Sequence, residues 1–442
     1  MDKKSMAAVI VVMILIIAAV SAFVALDDKS IDNGEPTVLD NAELKVYGNI
    51  NGDRYIDDRD VSIIKDLIKE GKTADEYPLA DANQDGVLDS KDLDVVEAVA
   101  NGESTTIWHI NYHDVDADGA MDEEVVSSKF PITSTIMTGS TNSFMLTFIL
   151  GIVDEVKGAC YSGTVDKALF GDYYLNQEKV EKLGSKSYAI PFEDGKVGSS
   201  DIIAKKGVTA LITDWNKIYI TNEKDFENAG IDVIRVAAAS VDEPVMKHSA
   251  LLLGLLFQKI DRANEYLEFS ENMMENITSL VKDVDKKKVI VSSTTENISS
   301  GDSDYVKLCI MAGAEFALDD KVDFNNKNSV PIADHPEVYT YEIDDLIHLR
   351  TGLSYGQTPD SIAKMWEEYT KPFEDAPSTM NQYLVSGTVP ICLRVGYVSC
   401  ALYSDVVSLE LVNDYHKQFI DKFYNGLSFD IDSMKFIVSG TA

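Results

Sequence analysis

From Asp261 to Val284 the chain runs without glycine or proline in the pattern "DRANEYLEFSENMMENITSLVKDV", which predicts one long helix. At 1.5 Å per residue that helix is about 36 Å long, enough to join two separate lobes. The segments on either side decide what those lobes are. Before it, "PITSTIMTGSTNSFMLTFILGI" (131–152) reads as strand, Gly-Ser turn and helix, and "VDEVKGACYSG" (153–163) as a strand opening into a loop. "DIIAKKGVTALITDWN" (201–216) and "FENAGIDVIRVAAAS" (226–240) each repeat a helix followed by a strand. After it, "KKVIVSSTTENISSGDSDYVKLCIMAGAEF" (287–316) opens a second series. Repeated strand–helix units imply parallel sheets covered by helices, here two Rossmann-like α/β lobes. Ligands in such sheets sit beyond the carboxyl ends of the strands.

A different pattern precedes the lobes. "DANQDGVLDSKD" (81–92) places Asp81, Asn83, Asp85, Asp89 and Asp92 at positions 1, 3, 5, 9 and 12 of a calcium loop. Gly86 stands at the sharp turn and Val87 offers the position-7 carbonyl. "NINGDRYIDDRD" (49–60) is a second copy, with Asn49, Asn51, Asp53, Asp57 and Asp60 as oxygen donors and Tyr55 offering its carbonyl. Each loop runs into an apolar-periodic helix. Arg54 replaces the turn glycine in the first loop, which should strain it and weaken that site. A third acidic run, "DVDADGAMDEEV" (114–125), carries Asp114, Asp116, Asp118 and Asp122 but ends on Val125. A plain Asp-Gly hairpin turn explains that run as well as calcium does. Ca2+ is therefore expected at two sites, with a third open at 114–125.

An ordinary EF-hand places a helix before its loop and Glu at position 12. Here Asp occupies position 12 in both copies, and little before Asn49 looks helical. Over residues 44–103 this loop–helix pair resembles a dockerin domain. The resemblance implies a small all-α, calcium-stabilised docking module and a cohesin partner that reads loop positions 10 and 11. Those are Asp58-Arg59 and Ser90-Lys91, which differ in charge and argue against interchangeable binding by the two halves. A clamp of the module onto the large domain is the other expectation.

The start, "MDKKSMAAVIVVMILIIAAVSAFVALDDKS", has Lys3 and Lys4 before an unbroken apolar run from Met6 to Leu26. Such a run can span a bilayer, and the positive-inside rule puts the bulk outside. Residues 1–26 are expected to be a transmembrane anchor; Val20 and Ala22 leave a cleaved secretion signal open. The net charge of −35 repels nucleic acid, so no such partner is expected. Cys160, Cys309, Cys392 and Cys400 show no metal or redox spacing and read mostly as buried thiols, with Cys392 and Cys400 close enough in sequence to bridge. His109 and His113 read as surface residues on one face of a strand. Of the other histidines, only His348 falls near a loop that should line a cleft.

The order of elements over about 125–428 resembles the substrate-binding proteins of ATP-driven importers whose two lobes are joined by one rigid helix. "TSTIMTGSTNSFMLTFILGIVDEVKGACY" matches that class's opening strand, Ser-containing cleft loop, helix and following strand. "GVTALITD", "YVKLCIMAGAEF" and the closing "YHKQF" match later elements, with Ala314 replacing the second glycine of an Ala-Gly-Gly helix end. The resemblance implies the periplasmic-binding-protein fold class, with a linker at 27–43, a strand and acidic turn at 104–124, lobes at 125–260 and 285–442, and the bridging helix at 261–284. It also implies an ABC permease as partner and a ligand held between the lobes: an iron complex (siderophore or haem) or a cobalamin-like corrinoid.

Candidate contacts come from loops after strands. They are Thr138, Ser140, Thr141, Tyr161 and Trp215 in the first lobe, and Arg350, Tyr355, Arg394 and Tyr397 in the second, with Ser300 and Asp302 beside them. Arginine pairs with the carboxylates or catecholates of a ferric chelate, and aromatic rings stack on flat organic parts. No enzyme activity is expected, because Gly-x-Ser-x-Gly, a Walker loop and HExxH are all missing from the sequence. The alternatives are a dockerin-bearing extracellular enzyme such as a glycoside hydrolase, and a structural or adhesive surface protein.

Overall fold

The computed structural model describes residues 39–115, 120–160, 166–184, 199–319, 321–325, 327–424 and 426–440. The expected membrane anchor, most of the linker, Tyr161 and the tip of the acidic run at 116–119 lie outside the described residues. Among the described residues no helix is long and apolar enough to cross a membrane.

Both acidic loops run directly into helices, α1 (Asp58–Lys69) and α2 (Ser90–Ala100). The carboxylates at loop positions 9 and 12 also start these helices. Asp57 and Asp89 are the N-caps, and Asp60 and Asp92 complete capping boxes by accepting the caps' backbone N–H groups. Val61, Ile64 and Leu67 bury one face of α1, and Val96 and Val99 that of α2, where the two helices pack together.

An antiparallel hairpin of β1 (Thr105–His113) and β2 (Asp122–Phe130) follows. The boundary expected at residue 125 falls inside β2, because pairing continues to Phe130 opposite Thr105. His109 is not on the surface as expected. It is fully buried, with Nε2 at 2.8 Å from Ser128 Oγ, because residues 45–47 lie along the open edge of β1 and cover it.

The first lobe contains β3 (Thr135–Thr138), α3 (Thr141–Ile149), β4 (Val156–Cys160), the short α4 (Lys167–Phe170) and β5 (Glu181–Gly184). It continues through α5 (Ser199–Lys206), β6 (Ala210–Asp214), α6 (Glu223–Asn228) and β7 (Asp232–Val236). These strands pair in parallel in the order β5-β4-β3-β6-β7. Every residue of β3 and β6 is buried, as central strands with both faces covered must be.

Two helices lead out of this lobe, α7 (Glu243–Leu256) and the bridging α8 (Ile260–Val281). A side chain at Gly254 would place its Cβ 2.7 Å from Ala263 Cβ, so glycine is what lets α7 and α8 approach here. Ala263, Leu267, Ser270, Met273, Ile277 and Val281 form the buried stripe of α8.

The second lobe begins with β8 (Lys288–Ser292), β9 (Asn297–Ser299), α9 (Asp304–Met311), β10 (Glu315–Phe316) and β11 (Ser329–Pro331). It ends with β12 (Asp345–Thr351), α10 (Pro359–Thr370), β13 (Asn381–Ser386), α11 (Ile391–Leu402), α12 (Leu409–Phe423) and β14 (Ile437–Ser439). The order is β11-β9-β8-β12-β13-β14 with β10 beside β8. β8, β12 and β13 run parallel, and β9 and β14 run antiparallel to them. Cys392 and Cys400 both lie on α11, eight residues apart, so a rise of about 12 Å separates them and the bridge is ruled out. All four cysteines are free and buried.

The loop-bearing module is packed onto the large domain. Tyr47 N–H donates to the Trp108 carbonyl at 2.9 Å and Ile110 N–H to the Lys45 carbonyl at 3.1 Å. His248 of α7 closes this seam, accepting Lys45 N–H at Nδ1 (3.0 Å) and donating from Nε2 to the Ile110 carbonyl (2.9 Å). One apolar cluster runs from Leu44, Ile56, Ile64 and Val96 of the module into Ile107, Phe130 and Phe148.

Candidate functional site

The carboxyl ends of the two sheets are brought together by the helices that follow β3 and β13. Asn142 in the first turn of α3 and Arg394 in the first turn of α11 meet, with Nη2 donating to Asn142 Oδ1 at 2.5 Å. Arg394 is 5% exposed, and its Nε donates to the Val389 carbonyl at 2.6 Å. Among the described residues no carboxylate lies within ion-pair distance of it, and burial pushes its guanidinium below the usual arginine range. A second contact crosses the lobes nearby: Tyr355 N–H donates to Asp166 Oδ2 at 3.3 Å.

On the first-lobe side, Ser140 caps α3 by accepting Ser143 N–H, and Thr141 begins the helix, both half-buried. Behind them Ser143 Oγ donates to Asp214 Oδ2 at 2.9 Å. Burial raises the Asp214 carboxyl, while hydrogen bonds from Ser140 and Ser143 oppose that shift. Gly139 has φ 147°, outside the comfortable range of other residues, and turns the chain sharply from β3 into α3. Thr138 is buried and donates to the Tyr219 carbonyl at 3.1 Å, so its hydroxyl is engaged within the lobe.

Several expected contacts lie elsewhere. Trp215 is half-buried against Ile110, Tyr112 and Ala237, because the β1–β2 hairpin covers that side of the lobe. Tyr355 and Tyr397 are core residues packed with Phe436. Both hydroxyls are committed to His416, at 2.7 Å from Nε2 and 2.8 Å from Nδ1. Tyr397 donates its single proton to Asn413 Oδ1 at 3.1 Å, so Nδ1 carries the histidine proton and Nε2 accepts from Tyr355. Burial lowers His416 to about 3 and keeps it neutral. His348 is likewise buried, against Tyr369 and Phe373, and lowered to about 4. Arg350 belongs to β12, and its side chain lies outside the described residues. Ser300 and Asp302 line a cavity of about 420 Å³ with Phe316, Asp319, Asp323 and Lys327, at the β9–β10–β11 edge of the second sheet.

Of the predicted set, Ser140, Thr141 and Arg394 stand together at the junction of the lobes. Asn142, Asp166 and Asp214 join them and were missed. Asn142 directly follows the quoted Ser140-Thr141 pair, which was signal enough; Asp166 and Asp214 needed the fold.

The loop residues form two related sets. In the second loop Asp81 accepts Asp85 N–H at Oδ1 (3.1 Å) and Gly86 N–H at Oδ2 (3.0 Å). Asp92 accepts Asn83 N–H (3.1 Å) and Asp89 N–H (2.9 Å). In the first, Asp60 accepts Ile50 N–H (2.8 Å) and Asp57 N–H (3.1 Å). The position-11 cation lies among the carboxylates each time. Arg59 reaches Asp53 and Asp57, each at 2.8 Å, and Lys91 reaches Asp85 at 2.8 Å. Consistent with that, among the described residues no three His, Cys, Asp or Glu side chains converge on a common metal position.

Two observations nevertheless fit a cation at the first loop. Asn49 Oδ1 is fully buried without a hydrogen-bond partner, because Nδ2 is held at 2.7 Å by both the Leu44 and Asp53 carbonyls. Asp60 is fully buried and burial raises its carboxyl to about 6, a penalty that a nearby cation would offset. Burial also raises Asp92.

No family model and no curated protein sequence matches the chain. Solved structures do. The TroA-like periplasmic binding protein FepB from Veillonella parvula is 17% identical with a TM-score of 0.53, over 71% of this chain and 97% of that one. The chain has the two-lobed fold of that periplasmic binding protein. Helicobacter pylori CeuE with Ni(II) bound is 14% identical with a TM-score of 0.48, over 73% of this chain and 98% of that one. A periplasmic heme-binding protein from Pseudomonas aeruginosa is 12% identical with a TM-score of 0.42, over 62% and 94%.

Proposed function

We infer that the protein is an extracytoplasmic substrate-binding protein, tethered through residues 6–26, that captures an anionic iron complex or a corrinoid and hands it to an ABC importer. The observation that supports this most is Arg394. It is a buried cation with no carboxylate partner among the described residues, held by an amide and a carbonyl where the carboxyl ends of the two sheets meet. An uncompensated buried charge costs several kcal/mol. An acidic group on a ligand entering between the lobes would replace the Asn142 amide and supply the missing counter-charge. Ser140 and Thr141 stand beside that position as neutral hydrogen-bonding groups.

The module at 44–103 takes calcium in both loops on this reading. Positions 10 and 11 of each, Asp58-Arg59 and Ser90-Lys91, are exposed, so a cohesin-type partner would find that face open.

Native mass spectrometry and tryptophan fluorescence of the protein titrated with ferric siderophores, haem and cobalamin test the receptor reading. One anionic complex should bind, and Arg394→Met should weaken it by about 30-fold or more, as loss of about 2 kcal/mol at a buried charge pair requires. No binding of any complex, together with hydrolysis of a polysaccharide panel, would overturn it in favour of an extracellular enzyme.

A further inference from the structure

The first acidic loop is seated on the helix that joins the lobes. Its sixth residue, Arg54, reaches one face of α8. Arg54 Nη2 donates to Glu271 Oε1 at 2.7 Å, and its Nε donates to Glu43 Oε2 at 2.6 Å. Lys247 of α7 reaches the same Glu271 oxygen at 2.8 Å. Asp261, Glu268 and Glu271 are spaced by seven and three residues, so they share one helix face. Arg54 itself avoids positive φ, so the strain expected from a side chain at position 6 is not found; the left-handed residue here is Gly52 at position 4, with φ 70°, as Gln84 is at position 4 of the second loop, with φ 58°.

The second loop differs at the same positions. Gly86, with φ 83°, turns the chain at position 6, and Val87 at position 7 is 55% exposed. Among the described residues only the first copy is tied to α8 by a side-chain hydrogen bond.

Charge makes this contact dependent on what the loop holds. Asp53, Asp57 and Asp60 lie on the loop side, and Asp261, Glu268 and Glu271 on the helix side. Arg54, Arg59 and Lys247 stand among them, and the carboxylates outnumber these cations. A divalent ion within the loop would reduce the repulsion between the two acidic surfaces. The buried, unpartnered Asn49 Oδ1 at position 1 is the independent sign of a cation there.

We propose that calcium in loop 49–60 makes the module a brace on α8, seating Arg54 on the interlobe helix when bound and releasing it when removed. The proposal rests on the reading of residues 49–60 as a calcium loop. Because α8 also packs on α7 and α11, the brace stiffens the element on which the placement of the two lobes depends.

The test is hydrogen–deuterium exchange over residues 260–281 of the full chain, with calcium and with chelator, alongside ion counting by native mass spectrometry. Calcium should slow exchange on the Arg54-facing part of α8 by about tenfold, as about 1.4 kcal/mol of local stabilisation requires. Arg54→Gly, which restores the turn glycine, should still bind two ions yet lose the response of α8; Glu271→Gln should lose it as well. Asp85→Ala, in the second loop, should lose one ion and keep the response. Two bound ions with unchanged exchange in the wild-type chain would overturn the brace and leave the calcium reading intact. No bound ion would overturn both.

Discussion

Arg235 and Arg394 are both buried, one in each lobe, and they are compensated in opposite ways. Arg235 is 1% exposed in the middle of β7, and Glu223 at the start of α6 takes it with two hydrogen bonds, Nε–Oε1 at 3.1 Å and Nη2–Oε2 at 2.6 Å. Its Nη1 caps the β6 end through the Asp214 carbonyl at 2.9 Å. Arg394 has an amide and a carbonyl where Arg235 has a carboxylate. A fork-to-fork pair within one lobe fixes architecture, whereas a cation left neutral-partnered at the junction of two lobes is open to the counter-charge that the proposed ligand would supply.

Removing each guanidinium in turn separates the two roles. Arg235→Met removes a fully buried guanidinium and leaves the half-buried Glu223 carboxylate without its partner, which should cost about 3 kcal/mol of stability by chemical denaturation. Arg394→Met removes an uncompensated charge but leaves Asn142 Oδ1 and the Val389 carbonyl without their donor, so these effects offset and stability should fall by no more than about 1 kcal/mol while ligand binding weakens by about 30-fold or more. Equal destabilisation by the two would mean that Arg394 is architectural as well.

Acid probes the lobes together. His248 and His416 are buried and neutral, each lowered to about 3 by desolvation. The unfolded chain titrates near 6.5 and binds protons that the folded one refuses. Stability is therefore complete above about pH 6.5 and lost as pH falls toward 3, by up to about 1.4 kcal/mol per pH unit for each ring. Denaturation at pH 7 and pH 5 should give the same slope in wild type and in both arginine variants. A changed slope in Arg394→Met alone would tie His416 to the ligand position instead of to the core.

The smallest effect should come from supplying the missing charge. Asn142→Asp places a carboxylate against Arg394 and should raise the stability of the ligand-free protein by about 1 kcal/mol while weakening ligand binding. A rise in Tm without loss of affinity would show that the ligand does not compete for the same guanidinium face.

Much of the architecture was legible in the sequence for local reasons. The helix expected at 261–284 is found at Ile260–Val281, since an unbroken amphipathic stripe without glycine or proline is a short-range signal. Both acidic loops lead into helices where the apolar period begins, and the same Asp57 and Asp89 that suggested calcium are their N-caps. Arg235 was not singled out, although a charged residue inside the apolar run "DVIRV" was a visible signal. Tyr355, Tyr397 and Trp215 were assigned to the cleft because they follow strands. Position along the chain does not say what folds over such a loop. Phe436 and His416 enclose the two tyrosines, and the β1–β2 hairpin encloses Trp215.

Element order, the two-lobed class, the paired loops and the acidic character can all be read along the chain, because they depend on patterns repeated within a few residues. Tertiary structure decided which polar groups are compensated. Asn49 Oδ1, His109 and Arg394 take their meaning from neighbours brought in by the fold, from four to hundreds of residues away. Burial changes the free energy of a charge by more than any local propensity does, and burial is a property of the folded whole.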